Sequence, residues 1–364
     1  MPDTRVEEYA RLLVEHCLGV EAGQQVLVFG APSARQLVEE VVRLIARKGA
    51  YALVRLSFDG GAGIVDLGWS REAPEEVLRE PAPIELHAVL HADALLVIVA
   101  PENTREASDL THERQALVQA AYRPALERVL SGELPWTGCQ FPCPALAQEA
   151  GMSLRAFEDF LYGACLLDWD AEGRRMRRYA DAFDAAREVR ILGEETDLTL
   201  SLEGRQGKVD AGGANVPGGE FFFSPLEDSA EGTIAFTEFP AVYAGRELSG
   251  IRLRFEGGRV VDASAERHED FLVQTLDTDE GARRIGELGI GCNPGITRYL
   301  KNTLFDEKID GTVHIALGSG FPFLGGTNES VVHWDLVKDL RAGGRILLDG
   351  EVVQEDGAWT IDRS

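Results

Sequence analysis

The chain has 364 residues, of which 45% are hydrophobic and 27% are charged, a balance that is typical of globular proteins. Its 36 basic and 61 acidic residues give a net charge of −25 at pH 7. A charge of this sign and size repels nucleic acids and anionic membrane surfaces, so we expect neither as a partner.

The first twenty residues have the pattern of an amphipathic helix with several acidic side chains. They lack the basic segment and the apolar run that mark a secretory signal peptide. No apolar run in the sequence reaches the roughly 18 residues that a membrane-spanning helix needs. The five cysteines are scattered through the chain, which argues against a disulfide framework. We therefore expect a cytoplasmic protein.

Strand and helix patterns alternate in the first half of the chain. Residues 24–30 form a short apolar run that is typical of a buried parallel strand. Residues 33–50 have helical spacing, with Ser33 as the predicted N-cap and Gly49 as the stop. The alternation continues with two strands and a helix, over 51–58, 91–101 and 111–130. This β-α-β order predicts a parallel sheet covered by helices.

The second half has a different pattern. Helical patterns over 144–169 and 170–189 are followed by short strands and dense turns, including a Gly-Gly hairpin turn at 257–258. These features predict an antiparallel, β-rich region. We therefore predict an α/β protein of two domains, with an N-terminal parallel-sheet domain over 1–188 and a β-rich α+β domain over 189–364.

Acids and histidines interrupt four apolar segments of the second half. Glu220 stands between two glycines and three phenylalanines, and Glu287 lies in an apolar, glycine-rich segment. His314 interrupts the run TVHIALG, and His333 and Asp335 interrupt VVHWDLVKD. Because side chains two apart on a strand share a face, His333 and Asp335 are predicted to lie side by side. Such groups are costly to bury unless they are paired or bound to a metal.

Two histidines and several carboxylates suit a divalent ion such as zinc, cobalt, manganese or iron. The set has enough carboxylates for two ions, and Asp306 and Glu307 add further acids nearby. The alternative interpretation is a series of independent ion pairs with arginines. His87 and His91 are four residues apart on one predicted helix face, where they either bind a metal or belong to a solvated surface.

Six sequence blocks resemble those of the aminopeptidase T family of metallopeptidases, which includes aminopeptidase S and PepS. The resemblance extends over most of the chain and is strongest from about residue 210 to residue 340. The blocks are, in the order of the family, ALAQEAGMSLRAFEDF, NVPGGEFFFSP, ELGIGCNPGI, NTLFDEK, HIALG and GGTNESVVHWD.

The resemblance implies a two-domain exopeptidase, typically a homodimer, that removes N-terminal residues from short peptides with a free N-terminus. It also implies two divalent ions per chain, of zinc, cobalt, manganese or magnesium, in the C-terminal domain. The implied reaction is the attack of a metal-bound hydroxide on the peptide carbonyl, with Glu220 and Glu287 as catalytic carboxylates and Glu287 bridging the ions. The metal-binding positions of the family fall here on Glu220, Glu287, Glu307, His314, His333 and Asp335.

One position departs from the family. A tyrosine often stands seven residues after the first metal-binding histidine, whereas this chain has Phe321 there. A tyrosine hydroxyl could donate a hydrogen bond to the tetrahedral intermediate, and phenylalanine cannot. We predict that Phe321 borders the substrate. Either another group supplies the hydrogen bond, or the peptidase is weak, or the substrate differs.

Two other functions compete with hydrolysis. His314, His333 and Asp335 also form the two-histidine, one-carboxylate set of one-iron oxygenases, and a branch resembling the same fold cleaves dihydroxypyridine rings. Such an enzyme does not need Glu220 or Glu287, so their presence favours hydrolysis. The third hypothesis is a non-catalytic relative that binds metals or peptides, and Phe321 is its support.

Overall fold

The computed structural model describes residues 3–60, 66–107, 109–130 and 132–363. The chain forms two compact units. The first holds the chain up to Leu166 together with Gly212–Pro217, and the second holds Leu167–Ala211 together with the chain from Gly218 onward. The division at Leu166 comes earlier in the sequence than the predicted boundary at 188.

The first unit contains a five-stranded sheet in which all neighbouring strands are parallel, and this part of the predicted fold class is confirmed. β1 and β3 are almost entirely buried, because helices cover the sheet and their apolar runs face no solvent. Numbered along the whole chain, the strands are β1 (Gln25–Gly30), β2 (Tyr51–Leu56), β3 (Ala94–Val99), β4 (Trp136–Gln140) and β8 (Asn215–Val216), in the order β2, β1, β3, β4, β8.

Nine helices of this unit lie in the described ranges. They are α1 (Thr4–Arg11), α2 (Arg35–Arg47), α3 (Leu67–Glu72), α4 (Glu75–Leu78), α5 (Pro83–His91), α6 (His112–Ala121), α7 (Arg123–Leu130), α8 (Pro144–Glu149) and α9 (Leu154–Cys165). A π-helical segment, Leu12–Cys17, follows α1, and a 3₁₀ turn, Pro32–Ala34, precedes α2. No helix among the described residues is long and apolar enough to cross a membrane.

Of the two predicted end signals of α2, the one at its start is wrong and the one at its end is confirmed. Ser33 is not the N-cap of α2, because its hydroxyl donates a hydrogen bond to the distant carbonyl of Ala100 over 2.7 Å. Gly49 does end the helix, and its φ of +77° is a conformation that glycine adopts without strain. His87 and His91 lie on one face of α5 with their rings stacked, the centroids being 3.9 Å apart.

Two long predicted helices are each divided. The segment 111–130 breaks between α6 and α7, where Pro124 at the second position of α7 has no N–H to continue the α6 ladder. The segment 144–169 breaks between α8 and α9. Gly151 there has φ +64°, and the Ser153 hydroxyl caps α9 by accepting a hydrogen bond from the Ala156 amide.

The second unit contains two antiparallel sheets and a separate hairpin, which confirms the predicted β-rich half. The eight-stranded sheet has the order β14 (Arg259–Ser264), β13 (Ile251–Glu256), β10 (Glu231–Phe236), β6 (Thr196–Ser201), β5 (Glu188–Gly193), β18 (Arg345–Leu348), β19 (Glu351–Glu355), β20 (Ala358–Trp359). The five-stranded sheet has the order β17 (His333–Asp339), β16 (Thr312–Gly318), β15 (Ile285–Gly291), β9 (Glu220–Phe223), β7 (Lys208–Asp210). The hairpin is formed by β11 (Ala241–Tyr243) and β12 (Arg246–Leu248).

The helices of the second unit are α10 (Trp169–Ala185), α11 (Glu269–Leu276) and α12 (Thr303–Asp306), with 3₁₀ turns at Gly281–Arg283, Pro322–Leu324 and Ile361–Arg363. The apolar face of α10 belongs to the core of this unit, so the helix lies in the second unit. Phe183 of α10 packs with ring centroids 5.2 Å from Phe221 and 6.3 Å from Trp359. Burial of such large rings contributes strongly to the stability of a core.

Candidate metal centre

Four neighbouring strands of the five-stranded sheet bring the predicted ligands together. Their register places each ligand opposite a small residue: Glu220 faces Gly291, His314 faces Gly289, Asp335 faces Ala316 and His333 faces Gly318. Glu287 also faces Ala316, on the other side of β16. Because the side-chain period of a strand is two, all five ligands point to one face of the sheet, and the alternate apolar residues point into the core.

Glycine at 289 makes room for the imidazole of His314. A Cβ atom built on Gly289 would lie 2.0 Å from His314 Nε2, far below the 3.0 Å under which real Cβ atoms essentially never make non-bonded contacts. A side chain at this position would therefore displace the histidine.

Glu287 lies between the two histidines. Its Oε1 is 3.3 Å from His314 Nε2, and its Oε2 is 3.3 Å from His333 Nε2. His314 Nε2 is also 3.5 Å from Glu220 Oε2, and His333 Nε2 is 3.7 Å from Asp335 Oδ1. Two groups of three potential ligand atoms result, each within 4.8 Å: Glu220, Glu287 and His314, and Glu287, His333 and Asp335. The two groups share Glu287.

Each histidine is oriented by a backbone carbonyl. His314 Nδ1 donates to the carbonyl of Glu307 over 3.0 Å, and His333 Nδ1 donates to the carbonyl of Ser319 over 3.0 Å. In both rings Nε2 is left facing the carboxylates. Supporting bonds of this kind fix the tautomer of metal-binding histidines.

Burial and mutual charge perturb the pKa values of the centre. Burial disfavours the charged forms of His314 and His333, but Glu287 and the nearby carboxylates outweigh it and raise their pKa values to about 10 and about 9. Burial would also raise the pKa of Glu287, but the two histidines outweigh it and lower that pKa. Burial raises the pKa values of Glu220 and Asp335, and neighbouring carboxylates add to this effect. Without a metal, the protonated imidazoles of His314 and His333 would form ion pairs with Glu287.

Lys308 is a member of the centre that the sequence did not identify as functional. Its ammonium is fully buried, lies 3.1 Å from Glu220 Oε1 and contacts Glu307 Oε1. The two glutamates outweigh its burial and raise its pKa above the ordinary range. Its only signal in the sequence is its position in the block NTLFDEK. Nothing in the local pattern indicates that a lysine there is buried.

The other predicted residues lie around these two groups. Glu307 contacts Lys308 through its carboxylate and does not belong to either group of three ligand atoms. Asp306 accepts hydrogen bonds from the amides of Leu300 and Asn302, and this role is structural. The ring of Phe321 lies beside the centre, its centroid 5.4 Å from that of His333.

The donor set fits divalent metal ions. Glu220 Oε2 is buried and accepts no hydrogen bond from any described residue, so it is an orphaned acceptor that a cation would satisfy. Among the described residues, the ion-pair partners of these five ligands are one another and Lys308, and no arginine takes part. The predicted alternative of separate arginine pairs therefore does not describe this site. Oxygen and imidazole nitrogen donors suit zinc, cobalt and manganese.

Comparison with known sequences gives full-length matches. The family described as thermophilic metalloprotease (M29) matches residues 2–359. Aminopeptidase T from Thermus thermophilus is 30% identical over 409 residues, which cover 98% of this chain and 96% of that protein. Aminopeptidase 2 from Geobacillus stearothermophilus is 27% identical, covering 99% of this chain and 98% of that protein.

Comparison with solved structures gives matches of the same extent. Wild-type AmpT from Thermus thermophilus has a TM-score of 0.84 at 26% identity, covering 98% of this chain and 99% of that one. The 2,5-dihydroxypyridine dioxygenase from Pseudomonas putida KT2440 has a TM-score of 0.64 at 16% identity, covering 98% of this chain and 96% of that one. At the lower identity the likeness extends to the fold alone.

Proposed function

The chain belongs to the thermophilic metalloprotease (M29) family, and we propose on that premise that it removes N-terminal residues from short peptides at a centre of two divalent ions. As a member of this family it is a hydrolase of the metalloaminopeptidase type. The observation that carries the proposal of two ions is the position of Glu287, whose two carboxylate oxygens face two different histidines at 3.3 Å.

The two groups of ligand atoms define which residues would hold the ions. One ion would be held by Glu220, Glu287 and His314, and the other by Glu287, His333 and Asp335. Two ions at such a centre supply a water of lowered pKa as the nucleophile and polarise the carbonyl of the scissile bond. Glu307 remains a proposed further ligand.

The protein's own residues orient and shield this chemistry. The carbonyls of Glu307 and Ser319 hold the two imidazoles in fixed orientations, so that little reorganisation is needed when ions and substrate bind. His333 is the most exposed of the five, with 35% of its side chain accessible, whereas His314 is buried. The substrate therefore approaches from the side of His333 and Phe321. A free α-amino group would bind near the acidic residues of the centre.

The competing one-iron function requires His314, His333 and Asp335 around a single ion. In the part of the chain that the structure describes, each group of three ligand atoms contains one histidine, and Glu287 lies between the two rings. This arrangement supports hydrolysis. Binding of peptides and metals without turnover would favour the hypothesis of a non-catalytic relative, and measured turnover would exclude it.

A homodimer in the cytoplasm completes the proposal. The dimer follows from the resemblance to the family, and light scattering coupled to gel filtration measures it. Among the described residues, the cysteines at positions 17, 139, 143, 165 and 292 form no disulfide bond, which supports a reducing compartment.

The test of the function is hydrolysis of short peptides by the metal-loaded protein. We expect release of the first residue from a peptide with a free N-terminus and no release from the same peptide after N-acetylation. Chelation should abolish turnover, and zinc, cobalt or manganese should restore it. If neither peptide is cleaved with any of these ions, while ferrous iron and oxygen support ring cleavage of dihydroxypyridine, the proposal is wrong.

A further inference from the structure

Lys308 places a permanent positive charge inside the centre. Its side chain has 0% exposure, and its ammonium contacts Glu220 and Glu307. A buried ammonium is costly unless carboxylates surround it, so its position is fixed by these two partners. The charge therefore belongs to the site and is not a surface feature.

The two oxygens of Glu220 have different partners. Oε1 lies 3.1 Å from the ammonium of Lys308, whereas Oε2 accepts no hydrogen bond from a described residue and lies 3.5 Å from His314 Nε2. Glu220 would thus share its negative charge between Lys308 and an ion beside His314. A ligand that already neutralises one cation attracts a second cation less strongly.

The other group of ligands has no such competitor. The ion-pair partners of His333 and Asp335 among the described residues are each other and Glu287. No lysine or arginine in the described ranges forms an ion pair with either residue. An ion held by Glu287, His333 and Asp335 would therefore have no resident ammonium ion-paired with Asp335, whereas Glu220 of the other group is paired with Lys308.

We propose that Lys308 is a resident cation that makes the position formed by Glu220, Glu287 and His314 the weaker of two metal positions. This inference rests on the proposed dinuclear function. The position of His333 and Asp335 fills first, and the position of His314 fills only at higher metal concentration. Lys308 is a positioning residue, because it acts on the ion through Glu220.

The test is a cobalt titration of the metal-free protein, monitored by visible absorption and by calorimetry. Wild type should bind two ions in two steps whose dissociation constants differ by about tenfold or more. His314→Ala should remove the weak step and keep the tight one, whereas His333→Ala should remove the tight step. Loss of the tight step in His314→Ala would overturn the proposal.

The second part of the experiment removes the positive charge of Lys308 and repeats the cobalt titration. Lys308→Met should tighten the weak step by about tenfold or more, because the competing cation is gone, and Lys308→Arg should keep the two steps apart. The matched control is Lys338→Met, which removes a fully buried lysine of β17 that pairs with Glu238 outside the centre. This control should leave both dissociation constants unchanged.

The outcomes separate this inference from the proposed function. A wild-type chain that binds one ion or none contradicts the dinuclear function itself. Two ions bound with equal affinity, or an unchanged or weaker second step in folded Lys308→Met, contradicts only the role of Lys308. Circular dichroism and thermal melting report whether each variant is folded. If Lys308→Met does not fold, the proposal is judged from the order in which the two positions fill with cobalt in wild type, His314→Ala and His333→Ala.

Discussion

Gly289 lies directly opposite His314 on the neighbouring strand, and a Cβ at Gly289 would approach the imidazole Nε2 to 2.0 Å. The absence of a side chain at 289 is therefore a condition for the position of His314. The same strand supplies Glu287 two residues earlier, so β15 provides both a ligand and the space for another ligand.

This contact predicts the effect of Gly289→Ala. The added methyl group should push His314 away from Glu287, which removes one ion per chain and lowers peptidase activity by at least about a hundredfold. Elemental analysis and peptide hydrolysis measure the two effects. Gly163→Ala is the matched control, because a Cβ there meets nothing within 4 Å. Full activity of Gly289→Ala with two bound ions would contradict this account of the site.

Removal of the shared carboxylate should have a larger effect than removal of a ligand at one side. Glu287→Ala should abolish binding of both ions, whereas His333→Ala should abolish only the position beside Asp335. Loss of a supporting partner of a metal ligand typically costs about 10- to 100-fold in activity. Because these variants remove a ligand itself, we expect a larger loss in both, of about 10³-fold. Activity and bound metal are measured on the same samples, with thermal melting to show that the fold is intact. A fully active, metal-replete His333→Ala would refute the assignment.

Phe321 is the position where a hydroxyl can be added. Its ring lies beside His333 and Phe222, at centroid distances of 5.4 and 5.3 Å. Phe321→Tyr should increase kcat about tenfold or more with little change in KM, because a new donor would stabilise the transition state but not the bound substrate. Phe323→Tyr, on the same loop and exposed, serves as the control and should have no effect. An unchanged kcat in Phe321→Tyr would show that the hydroxyl is not needed there.

The raised pKa values of the histidines predict how metal binding depends on pH. Both values lie above the ordinary 6.5, so protonation stabilises the metal-free fold fully below about pH 6.5, and this contribution is lost as the pH rises through about 9 to 10. Ions need the neutral imidazoles and must displace these protons. The affinity for manganese should therefore rise between about pH 6 and pH 9. Calorimetry in buffers of different ionisation enthalpy counts the protons released, and an affinity independent of pH would contradict the assignment.

The sequence could group the candidate ligands by face because they lie on strands. A period of two fixes which side chains share a face, so His333 with Asp335, and Glu287 with Gly289, could be assigned to one side without knowledge of the fold. These pairs come together because of the order of the strands in the sheet, and that order could be read only from the structure. The resemblance to the family supplied the proposed roles of the residues.

Features that depend on distant contacts were not predictable. Ser33 has the local signature of an N-cap, but the carbonyl of Ala100, far away in the sequence, takes its hydroxyl. Lys308 follows two acids in a polar segment, where a lysine is ordinarily solvated. Its burial results from the packing of the segment after α12 against Glu220, and no local pattern encodes that contact.

The number of metal ions bound per chain tests the dinuclear centre directly. The metal-free protein would be reloaded separately with zinc, cobalt, manganese and, without oxygen, ferrous iron, and then analysed by elemental mass spectrometry. We expect two ions per chain with the metals that support hydrolysis, and neither ion in Glu287→Ala. A single ion per chain, with iron preferred and Glu287→Ala still able to bind it, would contradict the shared role of Glu287 and with it the dinuclear peptidase.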